Sequence, residues 1–204
     1  MEGLSYAHNP ELIGALRRLA REWENSRQSW LVGGSCGLWL QGVELDNAPR
    51  DIDVYADLSE AHVLHEILLP RSIDKQVFDE SGIYVSLLSH YQMGQYVLEL
   101  VGGFEVKTEG SHYRVEIGEL LYGQAPSVQL DAERLKLMPL SHEFLFNVLR
   151  DRPDRYVPIG EAICLHTEDH FPLLQSLITR NVWSQKHLQI IASQLGERGI
   201  LDGL

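Results

Sequence analysis

Apolar residues near the start of the chain recur every three or four positions, which is the spacing of one buried helix face. Asn9 and Pro10 stand directly ahead of this stretch and are typical of an N-cap residue and a first helical position. The sequence therefore predicts an N-terminal helix that packs one face onto a core. The residues that define this face are Leu12, Leu16, Leu19 and Trp23.

Shorter apolar runs and turn residues follow this helix. Residues 30–32, Trp-Leu-Val, predict a short buried strand that ends at Gly33 and Gly34. We expect Ser35 to cap a helix that starts at once, and Gly42 to lie at the C-terminal end of that helix. Strand, glycine turn and helix are thus predicted to follow one another without a linker.

A second strand and helix come next, and several further strands follow them. DIDVY, which begins at Asp51, predicts a strand, and Ser59 would cap a helix that stops at Pro70. The later strand-like runs are IYVSLLS from Ile83, QYVLELV from Gln95, FEVKT from Phe104 and HYRVEI from His112. This order of elements predicts an α/β (α+β) fold with a mixed β-sheet.

The character of the chain changes after about residue 122. Five of the eight prolines lie between Pro126 and Pro172, and the apolar spacing becomes helical. The segments AERLKL, HEFLFNVLRD, FPLLQSLITR and SQKHLQIIASQL are predicted to be helices. We therefore predict an α/β core over residues 1–122 and a helical C-terminal subdomain over residues 123–204.

Composition and charge restrict the function classes. Hydrophobic residues make up 44% and charged residues 23% of the 204 residues, which is typical of a globular protein. The formal net charge of −12 predicts an acidic surface that repels phosphate backbones, so bulk nucleic acid is not an expected partner. The sequence shows neither a secretory signal pattern nor a long apolar run, so we expect a cytoplasmic protein without membrane contact. We expect Cys36 and Cys164 to be reduced.

Two aspartates give the first indication of chemistry. Asp51 and Asp53 are two positions apart on a predicted strand, so both side chains project from the same face. Neighbouring carboxylates repel each other unless a cation lies between them. Hard oxygen ligands of this kind suit Mg²⁺, which commonly bridges carboxylates to the phosphates of a substrate.

The glycine turn ahead of these aspartates suits a phosphate group. Gly33 and Gly34 allow a close approach of the backbone to a ligand, and a helix that begins at Ser35 would direct free N–H groups toward it. A phosphate site beside a metal site is what phosphoryl or nucleotidyl transfer requires, because this chemistry depends on positioning and charge neutralisation.

LVGGS at residues 31–35, followed by RDIDVY at residues 50–55, resembles the motif of the nucleotidyltransferase superfamily of the DNA polymerase β type. The resemblance implies a mixed β-sheet nucleotidyltransferase core flanked by helices. It also implies that Gly33, Gly34 and Ser35 bind a nucleoside triphosphate, while Asp51 and Asp53 coordinate its Mg²⁺ (or Mn²⁺). Fifteen residues separate Ser35 from Asp51, which is long for this motif and implies an extended loop.

The same resemblance implies a third carboxylate on a later strand. Glu99 lies between Leu98 and Leu100, so it is an acidic residue within an apolar strand pattern and matches that role. A solvent-facing position on a half-buried strand explains Glu99 as an alternative. Glu105 and Glu116 are weaker candidates, because each belongs to a regular alternation of polar and apolar residues. Glutamate also departs from the aspartate that is common at this place.

An arginine cluster near the middle of the predicted helical part has two interpretations. Arg150, Arg152 and Arg155 resemble basic patches that hold phosphates, but Asp151 and Asp154 are interleaved with them. Surface ion pairs therefore explain the cluster equally well.

The leading prediction is a Mg²⁺-dependent nucleotidyltransferase that transfers a nucleoside monophosphate from a nucleoside triphosphate to a small-molecule or protein acceptor. Asp51, Asp53 and Glu99 would hold the metal and carry the catalysis. The alternative is a catalytically inactive nucleotide- or partner-binding module of the same fold. A nucleotide-sugar glycosyltransferase with a metal-binding Asp-x-Asp pair is less favoured, because such enzymes lack the glycine turn just upstream.

Overall fold

The structure is a computed structural model, in which residues 9–108 and 110–196 are described. Helix α1 spans Pro10–Glu22, and the side-chain oxygen of Asn9 accepts a hydrogen bond from the N–H of Leu12 at 3.1 Å. The predicted cap and the predicted first helical position are therefore confirmed. The predicted apolar face is also buried in the core.

The main sheet has six strands. They are β1 (Trp30–Gly33), β2 (Asp51–Ala56), β3 (Val77–Ser81), β4 (Tyr84–Met93), β5 (Tyr96–Thr108) and β6 (Ser111–Arg114). Their order is β1-β2-β5-β4-β3, and β6 pairs with the far end of β5. Strands β2 and β5 are parallel and the other pairs are antiparallel, so the predicted mixed sheet is confirmed. The two predicted runs QYVLELV and FEVKT form one strand, β5.

Helices cover both faces of the sheet. After α1 they are α2 (Gly34–Leu40), α3 (Leu58–Leu68), α4 (Tyr122–Gln124), α5 (Leu140–Leu149), α6 (Pro153–Leu165), α7 (Thr167–Arg180) and α8 (Gln185–Leu195). A π-helical turn at Ile117–Leu121 precedes α4. Within the described ranges, no helix has the length and apolar character that crossing a membrane requires.

Two helix starts differ from the prediction. The N-cap of α2 is Gly33, two residues earlier than the predicted cap, so Ser35 lies inside the first turn and does not cap it. Helix α3 has Asp57 as N-cap, and Ser59 lies inside the helix. The carboxylate of Asp57 instead accepts hydrogen bonds from the N–H groups of Ile117 and Gly118, which ties β2 to the π-helical turn.

The segment AERLKL is a strand, so the predicted helix is wrong. Strands β7 (Ser127–Leu130) and β8 (Glu133–Lys136) form an antiparallel hairpin. Asp131 adopts a left-handed φ of 54° at the turn, and the alternate residues Leu130 and Leu135 are buried. Glu133 then binds Arg17 on α1 at 2.8 Å, so packing against α1 overrides the helix propensity of this short segment.

The two faces of the sheet pack against different helices. Ile52 and Val54 of β2 belong to a buried cluster that includes α1 and α3, whereas Tyr55 belongs to a cluster that includes α5 to α8. Alternation along the strand therefore turns Asp51 and Asp53 toward the C-terminal helices. The candidate site lies in this layer, between the sheet and α5.

Candidate active site

One row of residues crosses four strands of the main sheet. Gly33 on β1 is opposite Asp53 on β2, Asp53 is opposite Glu99 on β5, and Glu99 is opposite His90 on β4. Residues in register on neighbouring strands share a face, and adjacent strands lie about 4.8 Å apart. The pairing therefore places the glycine turn, the half-buried aspartate, the predicted third acid and a histidine side by side.

A cleft of about 430 Å³ opens above this row, between the sheet and α5. Five of the six predicted site residues line it, and they are Gly34, Ser35, Asp51, Asp53 and Glu99. Gly33 lies behind them, where a Cβ would come within 2.8 Å of the Tyr55 ring. Glu105 and Glu116 lie elsewhere, in contacts with His112 and Arg180 respectively, which leaves Glu99 as the acid that faces the aspartates.

Gly34 allows the turn to lie directly against Asp53. Its φ is +57°, in the left-handed region, and a Cβ built there would lie 1.8 Å from Oδ2 of Asp53. No side chain fits into that space. The glycine at position 34 is therefore required for the close approach of the turn to Asp53, although 18 residues lie between the two in the sequence.

Glu143 on α5 is a site residue that the sequence analysis missed. It is buried, and its Oε1 accepts a hydrogen bond from the N–H of Gly34 at 2.8 Å. This N–H is therefore not free, and a phosphate could use it only by displacing the carboxylate. Burial raises the pKa of Glu143 to about 7, although the hydrogen bond from Gly34 and the charge of Arg150 act in the opposite direction.

The floor of the cleft carries an excess of negative charge. Burial raises the pKa of Asp53 well above its usual value, and the charges of Asp51, Glu99 and Glu143 raise it further. Arg150 acts in the opposite direction. In the described part of the chain, no three His, Cys, Asp or Glu side chains are already arranged to hold a metal ion. The donor set nevertheless fits a hard divalent cation, because three carboxylates on one face offer only oxygen ligands and need a counter-charge.

Arginines form the opposite wall of the cleft. Arg150, Arg152 and Arg155 all line it, the first two at the turn between α5 and α6 and Arg155 in the first turn of α6. Arg152 pairs with Asp154 through two nitrogens, at 2.8 and 2.6 Å, as the surface interpretation of the cluster predicts. Arg150 instead lies over the Phe146 ring, 4.7 Å from its centroid, and makes no ion pair within 4 Å among residues 9–108 and 110–196. Its charge is available to an anion in the cleft.

A smaller recess of about 260 Å³ adjoins the cleft under the loop that precedes β2. Ser35, Asp51 and Arg155 are common to both, and the recess is completed by Asn47, Ala48 and Arg50. The long spacing between Ser35 and Asp51 therefore has a structural role, because it supplies a second cationic side chain beside Ser35.

The combined arrangement can bind a molecule that is both anionic and metal-bound. The carboxylates of Asp51, Asp53 and Glu99 occupy the sheet side of the cleft, and the guanidinium groups occupy the helix side together with Glu143. A phosphate chain between them would meet Arg150 and Arg155 directly, and the carboxylates through a divalent cation.

Replacing Glu143 by glutamine tests whether burial on α5 raises the pKa of this carboxyl group. A pKa raised from its ordinary 4.5 to about 7 means that the folded protein holds the proton longer than the unfolded chain, so stability falls as the pH rises from 4.5 to 7. The shift corresponds to about 3 kcal/mol. The stability of Glu143→Gln relative to the parent protein should therefore rise by about that amount between pH 4 and pH 8, as measured by urea unfolding. Glu161→Gln on α6, an exposed position, should show no such rise.

Comparison with known proteins concerns the fold. No protein-family model and no curated protein sequence matches the chain. A Thermotoga maritima protein described as a nucleotidyltransferase has a similar structure, with a TM-score of 0.61 and 20% sequence identity over 78% of this chain and 92% of that one. The antibiotic-resistance factor ANT(2'')-Ia is also similar, with a TM-score of 0.52 and 10% identity over 84% of this chain and 94% of its own. The chain thus has the nucleotidyltransferase fold that the sequence resemblance implied.

Proposed function

We propose that the protein is a Mg²⁺-dependent nucleotidyltransferase that transfers a nucleoside monophosphate from a nucleoside triphosphate to a hydroxyl group of a small-molecule acceptor. The observation that carries this proposal is the cross-strand row, in which Asp53 is opposite Glu99, together with the close approach of Gly34, at the start of α2, to Asp53. The nucleotidyltransferase fold supports the same class of reaction.

In this proposal Asp51, Asp53 and Glu99 hold the metal, which when bound polarises the α-phosphate and neutralises charge on the leaving group. Arg150 and Arg155 bind the triphosphate on the opposite wall. Ser35 lies between the cleft and the smaller recess, where its hydroxyl can donate to a phosphate oxygen. Gly34 contributes mainly by giving Asp53 room, because its N–H already donates to Glu143.

The acceptor side of the cleft is formed by β3 and β4. Asp79, Ser81, Tyr84 and Ser86 line it there, and these side chains can hydrogen-bond to a polyhydroxylated molecule. A cleft of about 430 Å³ is within the size range of small-molecule sites. The identity of the acceptor and of the base of the nucleotide is left to experiment.

The chemical step follows from this placement. The acceptor oxygen attacks the α-phosphorus, the bond from that phosphorus to the bridging oxygen breaks, and pyrophosphate leaves. The acceptor proton passes to Glu99, the carboxylate of the row that lies next to β4, on the acceptor side of the cleft. Burial raises the pKa of Glu99, which suits a group that must accept a proton.

Replacing Glu99 by glutamine tests both the transfer activity and the role of Glu99 as the group that accepts the proton. The protein should be incubated with Mg²⁺, α-labelled nucleoside triphosphates and a panel of hydroxylated acceptors, and we expect label on an acceptor and release of pyrophosphate. Glu99→Gln should reduce transfer on the order of 10²-fold or more, the usual contribution of a general base. Glu105→Gln is the matched control, because Glu105 lies on the same strand but contacts His112 outside the cleft.

The outcomes separate the proposal from its alternative. Transfer in the parent protein and in Glu105→Gln, with loss in Glu99→Gln, supports the enzyme. Mg²⁺-dependent nucleotide binding without any transfer points to a binding module of the same fold. A protein that binds no nucleotide with or without Mg²⁺ contradicts the proposal.

A further inference from the structure

A second cavity lies beside the first residue of β1, between the C-terminal end of α1 and the β7–β8 hairpin. Its volume is about 450 Å³, which is within the size range of small-molecule sites. None of the described residues that line it also lines the cleft of the candidate active site. The proposed transfer reaction therefore gives this cavity no role.

Aromatic side chains form part of the wall of this cavity. Trp30 is half-buried and packs edge-on against Trp23, with 4.9 Å between the ring centroids. Trp23 is almost fully buried in the core, so the pair is held in place from below. Tyr122 of α4 is half-buried and lines the cavity as well. These rings offer a flat ligand an apolar surface that is already formed.

Two cationic side chains of β8 line the same cavity. Arg134 and Lys136 flank the buried Leu135, so both lie on the opposite face of the strand from it. Within the described ranges neither of them has a carboxylate partner within 4 Å. The Nζ of Lys136 donates to the carbonyl of Tyr122 at 2.5 Å and lies 4.1 Å from the centroid of its ring. An ammonium group has three N–H donors, so two of them are left for a ligand.

The acidic residues of the cavity do not cancel this charge. Both carboxylate oxygens of Glu133 are held by arginines, by Arg17 at 2.8 Å and by Arg21 at 2.6 Å. Glu24 is exposed, so water and salt screen its charge. Arg134 and Lys136 therefore supply local positive charge in a chain whose formal net charge is −12. An anion is attracted to this place although the protein as a whole repels it.

We propose that this cavity is a second ligand site, which binds a small molecule that carries a flat aromatic ring and one anionic group. The ring packs against Trp30 and Tyr122, because offset and edge-on contacts between aromatic rings are favourable. The carboxylate or phosphate of the ligand accepts hydrogen bonds from Arg134 and Lys136. The site is independent of the proposed transfer reaction, since its described lining residues differ from those of the cleft.

The indole N–H signals in proton–nitrogen NMR spectra report binding and its place together. The chain has four tryptophans, of which Trp23 and Trp30 line the cavity, whereas Trp183 packs against Tyr113 elsewhere. Replacing each tryptophan by phenylalanine assigns the signals. We expect benzoate, titrated into the protein, to shift the Trp23 and Trp30 signals until they saturate and to leave the Trp183 signal unchanged.

Three further compounds separate the contribution of the ring from that of the charge. Benzamide has the same ring without the charge, and cyclohexanecarboxylate has the charge without the aromatic ring. Each should bind about fivefold more weakly than benzoate. Phenyl phosphate distinguishes the two sources of the anionic group, since tighter binding than that of benzoate identifies a phosphate and weaker binding identifies a carboxylate.

Variants of the cavity test the residues to which the binding is assigned. Arg134→Gln and Lys136→Gln should each bind benzoate about fivefold more weakly than the parent protein, because each removes a charged donor. Lys75→Gln is the matched control, since Lys75 is exposed ahead of β3 and does not line the cavity. Asp53→Asn changes the cleft alone and should bind benzoate as the parent protein does. Circular dichroism and thermal unfolding establish that each variant is folded.

Saturable shifts at Trp23 and Trp30 that weaken in Arg134→Gln, and not in Lys75→Gln, support the second site. The proposal is overturned if benzoate shifts neither signal, or if benzamide binds as tightly as benzoate. Equal shifts at Trp183 mean general binding to the surface and overturn it as well. Unchanged affinity in both Arg134→Gln and Lys136→Gln has the same consequence. None of these results depends on whether the protein transfers nucleotides.

Discussion

Asparagine at position 53 is expected to abolish nucleotide transfer and at the same time to make the protein more stable. A metal held by carboxylates supplies several kcal/mol of transition-state stabilisation, so the loss of a central ligand should reduce transfer about 10³-fold or more. The stability gain has a separate cause. Burial and the charges of Asp51, Glu99 and Glu143 raise the pKa of Asp53 well above its usual value.

The sign of the stability change follows from that shift. The folded protein holds the Asp53 proton more tightly than the unfolded chain, so its stability falls as the pH rises above the ordinary value of 3.8. Asparagine carries no charge and removes this loss. The urea midpoint of Asp53→Asn should therefore exceed that of the parent protein at pH 8, and by less at pH 5.

The measurement requires unfolding curves in the absence of divalent cations, together with the transfer assay. Asp46→Asn changes the same functional group at an exposed position of the loop that precedes β2. It should alter neither transfer nor the pH dependence of stability. A variant at position 53 that is less stable than the parent protein at pH 8 would contradict this account of the cleft.

Alanine at position 34 is expected to damage both the fold and the site. A left-handed φ of +57° costs an alanine about 1–2 kcal/mol, and the added Cβ would lie 1.8 Å from Oδ2 of Asp53. Either the turn or the aspartate must move. Misplacement of a reacting group by about 1 Å can lower the rate on the order of 10²-fold, so we expect a loss of that size in transfer.

Gly94→Ala separates the two contributions. Gly94, at the β4–β5 turn, has a φ of +69°, and a Cβ there would meet no atom within 4 Å. This variant should show the backbone cost in its urea midpoint and keep full transfer. If Gly34→Ala lost no more activity than Gly94→Ala, the close approach of the turn to Asp53 would be irrelevant to function.

The parts of the site that were predictable are those encoded by local pattern. Asp51 and Asp53 share a face because side chains alternate along any strand, and Glu99 was singled out by its apolar neighbours. The register that places Glu99 opposite Asp53 agrees with that expectation, while the assignment of these residues to a metal stays a prediction.

Glu143 and Arg150 were not predictable in the same way. Helix α5 is buried along its whole length, including Glu143 and Asn147. In the sequence Glu143 and Asn147, which are four positions apart, look like the polar face of an ordinary surface helix. Only the packing of α5 over the sheet turns that face into a wall of the cleft. The sequence could not single out Arg150 as the arginine that makes no ion pair within the described residues. Acidic residues are interleaved with all three arginines, and nothing in the local sequence distinguishes Arg150 from Arg152.

Strands β2 and β5 touch in the sheet, yet α3 and the β3–β4 hairpin separate them along the chain. Contacts that close such a long segment carry a large entropy cost and tend to form late in folding. A partly folded chain would therefore hold Asp53 and Glu99 apart and have no affinity for a metal-bound nucleotide. On the proposed function, nucleotide at one hundred times its dissociation constant would bind the native state alone and add about 2.7 kcal/mol to its stability. The nucleotide substrate would then also stabilise the folded protein against unfolding.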